Sequence, residues 1–280
     1  MLFACLLLTA PISLGAGPPH LVIVAGDHEY SGEQTLPLLA RALEDRYGFR
    51  CTVLRSQPDQ NGEEDIPGLA ALAQADVAMF YLRWRRLPPE QLAHIESYVK
   101  SGKPLFAWRT SSHPFNYPKG HALEAWNAWG AEAFGTPPGW GREGHTHYGH
   151  NSSTDVTVAP AAAGHAILRG VAPAFHVRSW LYRVQPPWPA AGATVLLNGA
   201  AVNPNKPAET NPVAWVWTNR YGGRAFYTSL GHPEDLALEP VQRLAVNALF
   251  WLHNPRRAPK PEWAGRMAID VPYRGMVNTK

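Results

Sequence analysis

The chain has 280 residues, a formal net charge of +3 and no run rich in Lys or Arg. This length is enough for one large α/β domain or two small ones, with a sizeable buried core. The nearly balanced charge argues against nucleic acid or an acidic membrane surface as a partner. The 27 prolines, 24 glycines and 11 tryptophans indicate many firm loops with aromatic surfaces. Such surfaces suit sugar rings, although most tryptophans serve as core.

Residues 1–17 are apolar, uncharged and end in small side chains. This segment is too short for a membrane span and predicts a secretory signal peptide, although no Lys or Arg precedes the apolar stretch. We therefore expect a periplasmic or extracellular protein with no stable membrane span after signal removal. Cys5 lies in the segment, so Cys51 would be alone in the mature chain, which excludes an intramolecular disulfide and a CxxC metal site.

Apolar segments alternate with amphipathic ones in the first part of the chain. Strands are predicted over 20–25, 49–54, 76–82 and 104–108, and helices over 33–47, 67–73 and 88–101. The alternation predicts a doubly wound, mainly parallel sheet with helices on both faces.

The second part of the chain is richer in β-type patterns. We predict a helix over 120–134, a long loop over 135–153, strands over 154–159, 175–184, 193–197, 212–218 and 224–229, and a helix over 239–252. No internal repeat is visible, so one α/β domain over 20–253 is the simpler interpretation. A Pro-rich tail or wrapping arm follows over 254–280.

Polar side chains follow four of the predicted strands. Asp27, His28 and Glu29 follow the first, and Arg83, Arg85 and Arg86 follow the third. Arg109, Thr110, Ser111, Ser112 and His113 follow the fourth, and His232, Glu234 and Asp235 follow the last. The long loop adds His145, Thr146, His147, Tyr148 and His150. Because the ends of parallel strands share one edge of a sheet, these residues can converge on one crevice.

Acid–base chemistry is the first interpretation of this crevice. Pro233 stiffens the turn that carries His232, and Glu234 could orient the imidazole and stabilise its cation. His232, Glu234, His113 and His28 are the candidate catalytic residues. The candidate substrate-binding residues are Asp27, Glu29, Arg83, Arg109, Thr110, His145, His147 and His150, with Arg109 placed to stabilise developing negative charge. The simpler alternative is that Glu234 or Asp235 only favours the N-terminus of the following helix.

A divalent metal is a second interpretation. His145 and His147 in a His-x-His spacing, with His150, could ligate an ion such as zinc, manganese or iron. The sequence contains no tight HExxH pattern, GxGxxG, Walker loop or GxSxG elbow. A nucleotide or nicotinamide cofactor bound by these devices is therefore not expected, and a metal stays an open alternative.

Four motifs resemble one known family. They are Val-Ala-Gly-Asp-His-Glu-Tyr at 24–30, Arg-Thr-Ser-Ser-His-Pro-Phe at 109–115, Gly-His-Thr-His-Tyr-Gly-His at 144–150 and Tyr-Thr-Ser-Leu-Gly-His-Pro-Glu-Asp at 227–235. Together they resemble the ThuA-like (trehalose utilisation) family from about residue 21 to 252. The resemblance implies the flavodoxin-like α/β fold of the class I glutamine amidotransferases, and a role in bacterial carbohydrate metabolism.

The resemblance to the amidotransferases fails at the nucleophile. His232 and Glu234 match the His-x-Glu pair of those enzymes, but the turn at 109–113, where their cysteine would lie, contains no Cys. Thiol-dependent glutamine hydrolysis is therefore excluded. Ser111 or Ser112 with His232 as base stays a minor alternative, because the turn lacks the glycine spacing of a nucleophile elbow.

We therefore expect an exported enzyme that acts on a small-molecule sugar or keto-sugar, in the manner of a hydrolase or an isomerase. One alternative is a non-catalytic carbohydrate-binding module that uses tryptophan faces, with Trp84, Trp108, Trp126 and Trp140 as candidates. The other alternative is a metal-dependent hydrolase that uses the loop histidines. An oligomer is compatible with the sequence.

Overall fold

The computed structural model describes residues 17–142, 145–254 and 262–273. The expected signal peptide at residues 1–17, with Cys5, lies outside the described residues except for its last position. Residues 255–261 and 274–280 of the expected tail lie outside them as well. Within the described ranges, no helix has both the length and the apolar character needed to cross a membrane.

Strands form one large sheet and one small one in the described residues. In chain order they are β1 (His20–Gly26), β2 (Arg50–Arg55), β3 (Val77–Leu82), β4 (Leu105–Trp108), β5 (Thr146–His147), β6 (Ser153–Val158), β7 (Ala174–Val177), β8 (Tyr182–Arg183), β9 (Thr194–Val202), β10 (Thr210–Thr218) and β11 (Arg224–Thr228). The large sheet has nine described strands in the order β2-β1-β3-β4-β11-β10-β9-β6-β7, and β5 pairs with β8.

Five α-helices lie in the described residues, and 3₁₀ turns connect several elements. The helices are α1 (Gly32–Tyr47), α2 (Pro89–Lys100), α3 (Trp129–Phe134), α4 (Pro233–Leu236) and α5 (Glu239–His253). Contacts join α1 to β1 and β2, and α5 to β3, β4 and β11. The segment predicted as a short helix at 67–73 is a 3₁₀ turn, Leu69–Gln74.

The half of the sheet formed by β2, β1, β3, β4 and β11 is parallel. Every residue of β1 and β3 is buried, as expected for parallel strands covered on both faces, where the sequence is a nearly continuous apolar run. The other strands of the large sheet pair antiparallel. The predicted fold class, a flavodoxin-like, mainly parallel α/β sheet of the class I glutamine amidotransferase type, is confirmed.

The strand predicted over 175–184 is instead two short strands, β7 and β8, in different sheets. Between them, the backbone N–H groups of Arg178 and Ser179 donate to the carboxylate of Asp235 at 2.8 and 3.1 Å. These bonds take the chain out of the large sheet, and β8 then pairs with β5. Sequence alternation could not show this, because the partner carboxylate is more than 50 residues away.

The helix predicted over 120–134 is also divided. A 3₁₀ turn, Glu124–Ala128, precedes α3. Within the turn, the Asn127 side chain accepts a hydrogen bond from the backbone N–H of Tyr117 at 2.8 Å and donates to its carbonyl at 2.9 Å. These hydrogen bonds to Tyr117 fix the position of the 3₁₀ turn, whatever the helical spacing of its apolar residues.

The described part of the C-terminal tail runs along α1 and α5. The backbone of Met267 exchanges two hydrogen bonds with the side chain of Gln242 on α5, at 2.7 and 2.9 Å. Met267 and Ile269 are buried. The tail then carries Tyr273 to the end of the parallel strands.

Three non-glycine residues in the described chain have left-handed backbone angles, and all three follow parallel strands. They are Ser31 after β1 (φ 57°), Trp84 after β3 (φ 54°) and Arg109 directly after β4 (φ 33°). Each such conformation costs about 1–3 kcal/mol and tends to mark functional sites. The strain is concentrated at the edge where the sequence predicts the crevice.

Substituting Gly130 with alanine should destabilise the protein. Gly130 lies at the second position of α3, and a Cβ there would press against the carbonyl oxygen of Ser112 and lie 2.9 Å from the Thr136 hydroxyl. Overpacking of this kind costs about 1–3 kcal/mol of unfolding free energy, measurable by urea denaturation. Gly164→Ala is the matched control, since no atom lies within 4 Å of its added Cβ. Equal stability of the two variants would contradict this account of how α3 packs.

Candidate functional site

Arg109 lies at the centre of the crevice and is completely buried. Its guanidinium donates to the carbonyl oxygens of Ser229 (2.6 Å) and Trp180 (3.2 Å) and to the Tyr30 hydroxyl (3.2 Å). Its Cζ atom lies 4.3–5.1 Å from the ring centres of Tyr30, Trp180 and Tyr182. None of the ion pairs among the described residues includes Arg109. Carbonyl oxygens and aromatic faces therefore compensate for the loss of water around its charge.

One group of rings, which we name the Trp180 cluster, surrounds the indole of Trp180. The rings are those of His150 (4.7 Å between centroids), Tyr30 (5.4 Å), His147 (6.1 Å), His232 (6.1 Å) and Tyr273 (6.2 Å). They come from the end of β1, the long loop, the turn after β11 and the tail. The crevice predicted from the strand ends therefore has an aromatic wall that includes the tail.

His232 is the N-cap residue of α4, and its ring is fixed by the backbone. Its Nδ1 accepts from the backbone N–H of Glu234 at 3.3 Å, so the neutral ring carries its proton on Nε2. The Glu234 carboxylate is 4.0 Å from Nδ1, and its side chain is 61% exposed. Burial, followed by the charges of Arg109 and Arg178, lowers the pKa of His232 to about 3. In this arrangement the Glu234 backbone orients the imidazole, and its carboxylate does not.

Asp235, the next residue of the motif, is the carboxylate that the fold uses. It is fully buried, and burial raises its pKa. Its oxygens also accept from the Ser179 hydroxyl at 2.5 Å and the Gly231 N–H at 3.1 Å. With the two N–H bonds that end β7, these contacts join the His232 turn to the segment that carries Trp180. Asp235 thus holds two walls of the crevice together.

A second group of rings, the Trp140 cluster, lies beside the first. Its members are His113 (4.5 Å from the Trp140 centroid), Tyr182 (5.1 Å), His145 (5.2 Å) and His147 (5.6 Å). His147 belongs to both clusters. The loop histidines and the strand-end histidines are therefore in one continuous region, as the sequence predicts.

The Ser112 hydroxyl lies between two buried histidines. It is 3.0 Å from Nδ1 of His113 and 3.4 Å from Nε2 of His145. Nδ1 of His145 is 3.2 Å from the Gly139 carbonyl and donates to it, which leaves Nε2 as an acceptor. Burial lowers the pKa of His145 to about 4, and burial together with His145 and nearby guanidinium groups holds that of His113 well below its usual value. Both rings are neutral at pH 7.

The candidates after β1 and β3 form a charged network. Arg83 Nε lies 2.6 Å from a Glu29 carboxylate oxygen, and its terminal nitrogen lies 2.9 Å from Nε2 of His28. Arg85 contacts Nδ1 of the same ring. Burial and these two guanidinium groups lower the pKa of His28 to about 3. His28 is therefore held neutral between two cations.

Asp27 has a pKa shifted in the opposite direction. The carboxylate is fully buried and accepts from the Tyr30 N–H (2.7 Å), the Glu29 N–H (3.3 Å) and the Thr110 hydroxyl (3.5 Å). Burial and the Glu29 charge raise its pKa to about 6. A pKa near neutrality suits proton transfer.

His145, His147 and His150 are the candidate metal ligands. The described residues contain no group of three or more His, Cys, Asp or Glu side chains that could hold an ion. Among the proposed ligands, His147 and His150 stack with centroids 4.4 Å apart, while both nitrogens of His145 contact protein groups. The loop histidines therefore do not fit a three-ligand metal centre in this arrangement.

In the turn after β4, the Ser111 hydroxyl bonds the backbone, whereas the Ser112 hydroxyl lies against the two histidines described above. The residue with left-handed backbone angles in this turn is Arg109. The Ser111 hydroxyl donates a hydrogen bond to the Phe80 carbonyl at 2.9 Å. The free thiol of Cys51 lies on β2, half-buried, and burial raises its pKa to about 12. A protonated thiol away from the crevice cannot act as a catalytic thiolate.

The structure thus brings most sequence candidates to one edge of the sheet, whereas Glu234 and His150 are exposed to solvent. Four aromatic residues of the crevice were not singled out from the sequence: Tyr30, Trp180, Tyr182 and Tyr273. Trp180 and Tyr182 are two residues apart in a predicted strand, and that spacing was a usable signal. Tyr273 gives no local signal, because only tertiary packing brings the tail here.

Fold and site define a flavodoxin-like α/β protein whose strand-edge crevice combines neutral histidines, buried arginines and aromatic rings. The chain belongs to the ThuA family, described as trehalose utilisation, whose sequence profile matches residues 21–252. A ThuA-like protein from Bacteroides uniformis shares 17% identity, with 87% of this chain and 95% of that one covered at a TM-score of 0.57. A ThuA-like protein from Parabacteroides merdae shares 14% identity, with 92% of this chain and 94% of that one covered at a TM-score of 0.61. At these identities the likeness shows the fold alone. No curated protein matches the sequence.

The contribution of His232 to stability should fall as the pH drops below about 6.5. The pKa of His232 is about 3 in the folded protein and 6.5 by its ordinary value, so between these values the unfolded chain binds the extra proton. At pH 5 this one histidine should remove about 2 kcal/mol of unfolding free energy relative to pH 7.5. The unfolding free energy of His232→Gln, measured by urea denaturation, should therefore fall by about 2 kcal/mol less than that of the parent protein when the pH is lowered from 7.5 to 5. His94→Gln, on the exposed face of α2, is the control. An unchanged pH dependence in His232→Gln would show that His232 is not held neutral.

Proposed function

We propose that this protein binds a sugar or keto-sugar in the crevice formed by the Trp180 and Trp140 clusters and processes it by acid–base chemistry. The description of the family, trehalose utilisation, supports the substrate class. The crevice supports it further, because aromatic faces pack on the C–H groups of a sugar ring while polar groups bind its hydroxyls.

The observation that carries the proposal is a set of buried nitrogen atoms with no hydrogen-bond partner among the described residues. Around Trp180 they are Arg109 Nε, His147 Nδ1, Trp180 Nε1 and His232 Nε2. Leaving a buried polar group unpaired costs about 1–3 kcal/mol, so nearly all such groups in native proteins have partners. Arg109, Trp180 and His232 present N–H donors here. A ligand that carries several oxygen atoms close together would satisfy them at once.

In the proposed reaction, His232 donates from Nε2 to a substrate oxygen. Because its pKa is about 3, the ring is neutral at pH 7 and acts as a hydrogen-bond donor that polarises a carbonyl or hydroxyl. Asp27, with a pKa of about 6, is better suited than His232 to accept a proton from the substrate. The Tyr273 ring lies 4.4 Å from that of His232, and burial, followed by the charge of Glu29, raises its pKa.

Arg109 has a positioning role in this proposal. Its terminal nitrogens donate hydrogen bonds to protein groups, and Nε is the part of the guanidinium that has no partner among the described residues. It can therefore give a substrate one hydrogen bond while fixing the ends of β4 and β11. The sequence expectation gave Arg109 two roles, substrate binding and stabilisation of developing negative charge, and this proposal keeps the first.

A non-catalytic sugar-binding module is the second candidate. It is favoured by the low pKa values of His28 and His232, each about 3, because such weak bases accept protons poorly at pH 7. The same crevice would then bind hydroxyls without turnover. The two candidates share a binding site and differ in chemistry.

Replacing His232 separates the candidates. If His232 takes part in the reaction, His232→Gln should reduce turnover of a keto-sugar or trehalose by roughly 10²–10⁴-fold. Sugar affinity should change less, because the amide can still donate a hydrogen bond. Turnover is followed by chromatography of the products and affinity by calorimetry, with His94→Gln as control. Full turnover by His232→Gln would remove the acid–base proposal. Sugar binding without turnover in the parent protein would establish the binding module.

We further propose that the protein is exported to the periplasm or beyond, which rests on the apolar sequence of residues 1–17. Mass spectrometry of the protein expressed in a bacterial host tests this. A mature N-terminus near residue 17 is expected, and an intact N-terminus retained in the cytoplasm would contradict it.

A further inference from the structure

A second polar groove lies at the C-terminal end of β2 and the N-terminal end of α1. Its volume is about 690 Å³, and its polar lining includes Glu33, Gln34, Ser56, Gln57, Gln60 and Asn61. Amide, hydroxyl and carboxyl side chains thus dominate its polar wall, and Val53, Leu54, Pro58 and Pro67 add an apolar one. Neither the acid–base chemistry nor the ring clusters proposed above involve this groove.

Two buried oxygen atoms in the groove have no hydrogen-bond partner among the described residues. They are Oε1 of Glu33 and Oδ1 of Asn61. Glu33 is only 5% exposed, although it lies in the first turn of a helix beside an open groove. A buried carboxyl with an unpaired oxygen is costly unless a ligand or water binds it. The unpaired oxygens therefore point to a bound group that can form hydrogen bonds.

The groove wall is held in place by a buried arginine. Arg85 is completely buried and donates to the carbonyl oxygens of Gly62 (2.6 Å) and Gln60 (3.5 Å) and to the Ser56 hydroxyl (3.1 Å). The loop that forms one side of the groove is thus fixed without a ligand. Such preorganisation favours binding, because a ligand then loses little free energy to the ordering of the loop.

The charges around the groove select against ionic ligands. The positive charge of Arg85, which acts on Glu33, and that of Arg55, in the lining, disfavour a cation. The Asp59 carboxylate and the two acceptor oxygens disfavour an anion. Burial raises the pKa of Glu33 to about 8, with Asp27 acting in the same direction and Arg85, Ser56 and Arg55 opposing it. The Glu33 carboxyl is therefore mostly neutral at pH 7.

We propose that this groove is a second ligand site that binds a neutral, hydroxyl-rich molecule, a sugar ring or similar polyol, through Glu33 and Asn61. A hydroxyl group both donates and accepts, so it matches either oxygen of a neutral carboxyl. An ammonium group only donates and a carboxylate only accepts. The site is separate from the crevice around Trp180 and does not depend on the function proposed for it.

The test is an NMR titration of the full chain with three forms of one pyranose: neutral glucose, cationic glucosamine and anionic glucuronate. The side-chain amides of Gln34, Gln57, Gln60 and Asn61 report on the groove, and the indole N–H of Trp180 reports on the crevice. Glucose should shift the groove amides saturably at millimolar concentration. Glucosamine and glucuronate should bind there at least several-fold more weakly.

Glu33→Ala should weaken glucose binding in the groove by about fivefold or more, the value of one hydrogen bond. Glu33→Gln keeps a carbonyl acceptor of the same shape and should bind nearly as the parent does. Glu90→Ala is the matched control, because Glu90 is the second residue of α2 as Glu33 is of α1, and it is exposed.

The proposal is overturned if glucose leaves the groove amides unshifted, if either charged sugar binds there as tightly as glucose, or if Glu33→Ala and Glu90→Ala bind alike. The comparison of three sugars on the parent protein decides the matter even if Glu33→Ala fails to fold. Shifts in the groove with no change at Trp180 would support this site and count against the function proposed above. Shifts at Trp180 alone would do the reverse.

Discussion

The buried charge of Arg109 is the constraint on which the rest of the site depends. A guanidinium with no carboxylate partner among the described residues is stable only if several groups surround it closely. Those groups are the carbonyl of Ser229 after β11, the carbonyl and ring of Trp180, and the ring of Tyr30 after β1. One side chain thus joins three chain segments at the end of the sheet. The strained φ of Arg109 itself is the local cost of this arrangement.

The parallel half of the fold and the convergence of its strand ends could be predicted from sequence. The apolar runs of β1 and β3 are unambiguous because these strands are buried on both faces, and alternation with helices then fixes the edge where Asp27, Arg83 and Arg109 lie. Such inferences need only local pattern and topology. The same reasoning placed His113 and His232 in the crevice.

Details set by particular hydrogen-bond and ring partners could not be predicted. The spacing of His232 and Glu234 suggested a side-chain pair, but a Pro-initiated turn caps α4 with the imidazole, so Nδ1 bonds the Glu234 backbone instead. Asp235 ends β7 through a contact across 57 residues. Tyr273 reaches His232 only because the tail packs along α5. The contacts of Asp235 and Tyr273 are tertiary, and the His232 cap is a local bond to a backbone donor that residue spacing does not reveal.

The central claim is that the unpaired nitrogens around Trp180 bind the oxygens of a sugar. The most direct measurement is the ¹⁵N–¹H signal of the Trp180 indole in tryptophan-labelled protein, assigned with Trp180→Phe and followed during titration with trehalose and a keto-sugar. The account predicts a saturable shift of this signal with at least one of them, while the indole of Trp251, which packs on His165 outside the crevice, stays unchanged. A Trp180 signal that stays fixed at saturating concentrations of both sugars, or moves no more than that of Trp251, would contradict it.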